Sequence, residues 1–224
     1  MFSQRRFVLL ALAALAIAIG LPFDALAHGI SEADRQRMLS GGYLQYVGLG
    51  VTHMLTGYDH LLFLFGVVFF LSNFKDVAKF VTVFTIGHCI TLVFATFFKI
   101  TWNYYLVDAI IAISVIYKGF DNNGGFQKYF DMKSPNLLAA VFGFGLLHGF
   151  GLSTRLQQLP LGDDSTSMLI RILSFNLGVE IGQIAALAVM VALLSVWRHR
   201  PSFKRFSYAA NVGLVFAGVL LLLM

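Results

Sequence analysis

The chain has 224 residues, 58% of them hydrophobic and 12% charged, with a formal net charge of +5. A water-soluble domain carries about 25% charged residues, so long apolar runs with so few charges indicate membrane helices and exclude a soluble core. The positive balance does not point to nucleic acid, because the basic residues stand between hydrophobic runs, where membrane topology accounts for them.

The N-terminal stretch MFSQRRFVLLALAALAIAIGLPFDALAHG opens with Arg5 and Arg6, runs apolar from Phe7 to Ile19 and ends in Ala25-Leu26-Ala27. These are the three parts of a secretory signal peptide. Residues 1–27 are therefore expected to be cleaved, with an uncleaved anchor as the alternative. Residues 28–42 would form a short external tail and 43–224 the membrane domain. Cleavage would leave His28 at the N-terminus, where amine and imidazole together can chelate a transition metal. His28 can equally be only the residue after the cut.

Helix-length apolar runs follow at 43–72, 78–98, 102–118, 136–156, 167–197 and 204–224. A span needs about 20 residues, so the expected fold is all-α and polytopic, with six membrane helices. Gly57 lies inside the first run, where a kink or half-helix is expected. With the mature N-terminus outside, the inner loops hold Lys75, Lys79, Lys118, Lys128, Lys133, Arg198, Arg200, Lys204 and Arg205. The outer loops hold only Lys99 and Arg155, with Arg35 and Arg37 in the leading tail. This bias agrees with the signal-peptide reading and places the chain in a bacterial-type inner membrane. The segment KGFDNNGGFQKYFDMKSP reads as a polar connector between two three-span halves.

Short matches suggest that the halves repeat. GVTH (Gly50–His53) is similar to GLLH (Gly145–His148), and FTIGHCI (Phe84–Ile90) to FNLGVEI (Phe175–Ile181), in the same order. Three spans per half would invert the second half, a transporter pattern. Gly-x-x-His is also easily met by chance in a glycine-rich chain.

The polar residues inside the spans carry the chemistry. A charged group at mid-bilayer costs at least about 2.5–3.5 kcal/mol unless paired or hydrated, yet HMLTGYDH places His53, Asp59 and His60 in the first span. Residues seven apart on a helix differ by about 20°, so His53 and His60 would share a face, with Asp59 to the side. His88, His148 and Glu180 fall near the middle of their own spans, and Asp108 nearer an outer end. Tyr58, Thr85, Asn176 and Gln183 are candidate supporting groups, Asn176 and Gln183 sharing a face with Glu180. Imidazole and carboxylate suit nickel, cobalt, zinc, copper(II) or manganese rather than soft copper(I). The single cysteine, Cys89, excludes an intrachain disulfide and a cysteine-based zinc site and reads as a packing residue. His199, in the basic WRHRPSFKR loop, reads as surface.

Taken together, His-x5-Asp-His in HMLTGYDH, FTIGHCITL, FGLLHG and FNLGVEIGQ resemble the HupE/UreJ family of membrane proteins, from about Gly48 to the end. Met54 departs from the better-studied branch, where proline follows the first histidine, so the chain looks closer to the branch with TGYDHLLF. The resemblance implies a permease for a divalent metal, nickel first and cobalt next, while the ligand chemistry also allows zinc. It also implies His53, Asp59 and His60 as recognition residues, with His148 and Glu180 as further candidates. A hydrogenase or urease maturation system is the implied partner. Read from the residues alone, the same histidines could instead hold a catalytic zinc with one position open to water. That intramembrane hydrolase could draw on Ser114, Ser153 or Ser174, with Glu180 as acid/base. A haem-binding electron carrier is a third reading.

Overall fold

The computed structural model describes residues 42–71, 73–158 and 164–223. The signal peptide and His28 lie outside these residues. Within them all regular structure is helical: α1 (Tyr43–Thr56), α2 (Tyr58–Val68), α3 (Phe74–Phe97), α4 (Tyr104–Asn122), α5 (Gly125–Phe130), α6 (Leu137–Leu156), α7 (Ser165–Arg198) and α8 (Pro201–Leu222).

Local chemistry sets several of the starts. Asn73 accepts a hydrogen bond from the Lys75 N–H and Asn103 from the Tyr105 N–H, each at 3.0 Å. Asp164 accepts from the Ser167 N–H at 2.9 Å. Pro201, which has no N–H to satisfy, opens α8.

Among the described residues, α3, α6, α7 and α8 are long and apolar enough to cross a membrane. The helices α1 and α2 pass that test only together, as a pair bent by 66°. The break falls at Gly57, as expected. The third expected span differs. The helix α4 forms over the expected stretch and runs on to Asn122, but it carries Asp108, Lys118 and Asp121 and is too charged to count as an apolar span by composition. Its charges are turned inward: Lys118 is buried and bonds to Asp121 at 2.7 Å. The expected connector is also partly helical, since α5 occupies six of its residues.

Packing follows three main pairs: α1 lies along α7, α3 along α6, and α4 along α8. Glycine permits the first two. A Cβ on Gly50 would meet the Val179 nitrogen at 2.8 Å and collide with the Phe175 carbonyl oxygen. A Cβ on Gly145 would collide with the Phe84 carbonyl oxygen. With little hydrophobic drive between helices in lipid, such close backbone approach supplies the packing energy. The α2–α4–α8 corner is joined by Asn122, which donates to the Gly66 carbonyl and to Asn211 Oδ1, each at 2.8 Å. At the other corner Arg198 donates to the Val68 and Phe69 carbonyls at 2.5 and 2.8 Å. Those carbonyls end α2 and have no partner within it.

Candidate metal-binding site

The break at Gly57 creates the site. The backbone there is extended (φ −73°, ψ 96°), so α1 stops and α2 starts on a new axis. A Cβ on Gly57 would meet His60 Nδ1 at 2.8 Å, the His53 carbonyl at 3.0 Å and Asp59 Oδ1 at 3.1 Å. Only glycine leaves room for these three groups to close around the turn. The negative C-terminal end of α1 meets the first turn of α2 there, where the Asp59 carboxylate offsets the positive end of that helix.

The break also changes how His53 and His60 come together. They do not share a face of one continuous helix. The bend swings His60 back, and the two rings sit edge to face with centroids 5.0 Å apart. The His148 ring, from α6, lies 5.2 Å from His60. Phe175 stands 5.8 Å from His53, while Phe84 and Phe63 stand 5.1 and 5.9 Å from His148. Three imidazoles are thus walled by three phenylalanines.

The hydrogen bonds set which nitrogens are free. His60 Nδ1 lies 2.8 Å from Asp59 Oδ1 and donates to it, so the neutral ring carries its lone pair on Nε2. His148 Nδ1 lies 2.6 Å from the Phe144 carbonyl, which can only accept, so here too the proton is on Nδ1. Nε2 of His148 is buried without a partner, and so is Nε2 of His53. Native proteins rarely leave buried polar atoms unsatisfied, so each such atom calls for an explanation.

These residues line one cavity of about 20 Å³, formed by His53, Asp59, His60, Asp108, Ile111, His148, Gly151 and Leu152. A space of that size holds about one water-sized species. Among the described residues, no group of three or more His, Cys, Asp or Glu side chains is placed so that it could hold a metal ion as it stands. The three histidines thus line one small space without forming a ligand set.

The remaining candidates fall elsewhere. His88 is buried one layer away, its Nδ1 3.2 Å from Asn176 Oδ1. Asn176 donates to the Ile172 carbonyl, so its oxygen faces the histidine and accepts. Thr85 donates to Gln183 Oε1 at 3.1 Å, and Gln183 Nε2 is buried without a partner. Glu180 is half-buried on α7 and Tyr58 is exposed; neither lines the cavity. Ser114 and Ser153 are buried and spend their hydroxyls on the Ile111 and Phe150 carbonyls of their own helices. Neither serine lines the cavity, which weakens a hydrolase that would use them. His199 is exposed and bonds the Ser195 carbonyl.

Several wall residues escaped the sequence reading, although helical spacing marks them. Phe63 follows His60 by three positions, Ile111 follows Asp108 by three, and Gly151 and Leu152 follow His148 by three and four. A family model described as HupE / UreJ protein matches residues 31–224. No curated protein and no solved structure matches the chain.

Proposed function

We propose that this chain, which belongs to the HupE/UreJ family, is a membrane permease for a divalent transition-metal ion, with nickel the first candidate and cobalt and zinc next. The reading rests most on one observation: the buried, unpartnered Nε2 atoms of His53 and His148 belong to residues lining the same small cavity. Imidazole nitrogen is a good ligand for these ions, and the cavity is sized for an ion rather than an organic substrate.

In this reading the ion sheds water and is held by His53, His60 and His148. Asp59 orients the His60 ring and offsets the positive charge. Asp108 supplies a second carboxylate at the wall. His88, with Glu180 beyond it, would take the ion onward. His28 would offer an external capture point after cleavage. The protein would sit in a bacterial-type inner membrane with its N-terminus outside, supplying metal to an enzyme maturation system.

The test is uptake into liposomes containing the purified protein, with nickel, cobalt, zinc and manganese measured in parallel by mass spectrometry. Saturable nickel uptake that is lost in His60→Ala supports the permease. No uptake of any of the four metals, with one zinc per chain retained through dialysis, would overturn it in favour of a resident zinc site.

A further inference from the structure

The two glycine crossings correspond residue for residue. At the first, between α1 and α7, a Cβ on Gly50 would strike the Phe175 carbonyl, and one on Gly178 would strike the Val47 carbonyl. At the second, between α6 and α3, a Cβ on Gly145 would strike the Phe84 carbonyl, and one on Gly87 would meet the Phe142 carbonyl at 2.7 Å. Gly50 and Gly145 are 95 residues apart, and so are Val47 and Phe142; Phe84 and Phe175 are 91 apart, and so are Gly87 and Gly178. The same two offsets therefore convert one crossing into the other at four contact points.

Other features obey the offsets. His53 maps onto His148, the two histidines with unpartnered Nε2 atoms. The helix starts at Phe74 and Ser165 correspond. On the lipid side, Ile86 (48% exposed) matches Leu177 (53%), and Ile90 (51%) matches Ile181 (45%). At the next turn the sizes exchange: a Cβ on Gly182 would meet the Met54 Cβ at 2.9 Å in one crossing, and a Cβ on Gly149 would strike the Thr91 hydroxyl in the other. The main helix pairs are likewise unchanged when α1, α3 and α4 are swapped with α6, α7 and α8.

We propose that the α1–α7 and α3–α6 crossings are two copies of one sliding contact, related by a two-fold through the cavity, and that they alternate: one tightens as the other loosens. Counting both the bent α1–α2 pair and the charged helix α4 as crossings of the bilayer puts three spans in each half and inverts the second, as alternating access requires. His53 and His148 then offer equivalent nitrogens from opposite halves, so an ion bound between them feels both crossings. Among the described residues the break at Gly57 has no counterpart, because α6 runs unbroken through the matching position, Leu152. Asp59 and His60 therefore stay with the first half in both states. This mechanism rests on the permease reading for its use, although the alternation can be observed without transport.

The experiment is spin-label distance measurement in lipid nanodiscs. One pair is Leu44→Cys with Ile181→Cys, across the first crossing. The other is Ala139→Cys with Ile90→Cys, the matching positions across the second. All four residues are exposed, and both pairs carry Cys89→Ser. Zinc(II), which is diamagnetic, is the titrant. The expected result is shifts of about 2–5 Å, the scale of helix sliding, with opposite signs at the two crossings. Shifts of the same sign, or none at either crossing, would overturn the proposal whatever the liposome assay reads. Opposite shifts in a protein that takes up no metal would keep the paired crossings and overturn the permease.

Discussion

The carboxylate of Asp59 takes two hydrogen bonds from its neighbour His60, from the backbone N–H at 2.9 Å and from the ring Nδ1–H at 2.8 Å. One oxygen thereby fixes the tautomer and the direction of the ring, and in the permease proposed above the carboxylate would supply the countercharge for the cation. Asp59→Asn keeps an acceptor oxygen and loses the charge; Asp59→Ala loses both. Initial uptake rates should fall about 10-fold in the first and about 100-fold in the second, the range seen when such supporting groups are removed. An Asn variant as fast as wild type would show that the charge plays no part.

His53 and His148 should behave oppositely in stability and in function. Their Nε2 atoms make no hydrogen bond, so an apolar side chain of similar size removes an unsatisfied buried atom and, at His148, only the Nδ1–H bond to the Phe144 carbonyl of its own helix. His53→Leu and His148→Leu should keep the melting temperature in detergent within a few degrees of wild type, or raise it, while abolishing uptake. A large drop in melting temperature in both variants would mean that these rings serve the fold.

How much of this was legible in the sequence depends on what sets each feature. HMLTGYDH marked three groups of the site, and Gly57 marked the break, because both are local in the chain. His148, picked out by its depth in the span, also lines the cavity. Direction around the helix was not legible: Glu180 has a comparable position along its span, yet α7 does not present it to the cavity. Rotation is set by the glycine contacts of α7 with α1, and those join residues more than a hundred positions apart. The third apolar run ends at Lys118, which the sequence places in a loop; α4 runs on to Asn122, with Lys118 buried beside Gly66 of α2 and bonded to Asp121.

The glycines can be separated by the same logic. Gly50→Ala forces a methyl against the Phe175 carbonyl and the Val179 nitrogen, both backbone atoms that cannot step aside. Overpacking of this kind costs about 1–3 kcal/mol. Gly143, on α6, has nothing within 4 Å of an added Cβ. Gly143→Ala should be neutral, or should gain up to about 1 kcal/mol from helix propensity. Thermal unfolding of the two variants in one detergent checks the contrast, and equal losses would contradict the crossing geometry.

Uptake should also respond to pH with a fixed sign. An imidazole must be neutral to bind a metal, so protons compete with the ion for His53, His60 and His148. Saturable uptake should therefore weaken as pH falls, through a higher half-saturating concentration, and recover when pH is restored. The measurement is concentration dependence at several pH values with the inside and outside equal, which removes any proton gradient. Affinity that is flat or that improves in acid would argue against histidine as the ligand.

Arg198 offers a test of the half-helix at a distance from the ion. It donates to the Val68 and Phe69 carbonyls, at the far end of the short helix that begins with Asp59 and His60. Phe69 is fully buried between Trp197 and Phe203, so water does not replace the lost donors. A cation at this end also suits the helix dipole. Arg198→Ala should destabilise the protein by about 1.5–3 kcal/mol, the scale of hydrogen bonds to a charged group. Arg198→Lys keeps the charge but not the planar fork, and should recover part of that stability. If α2 must be held for His60 to meet the ion, Arg198→Lys should raise the half-saturating metal concentration more than it lowers the maximal rate. Equal effects on both, or none on either, would leave Arg198 a purely structural clamp.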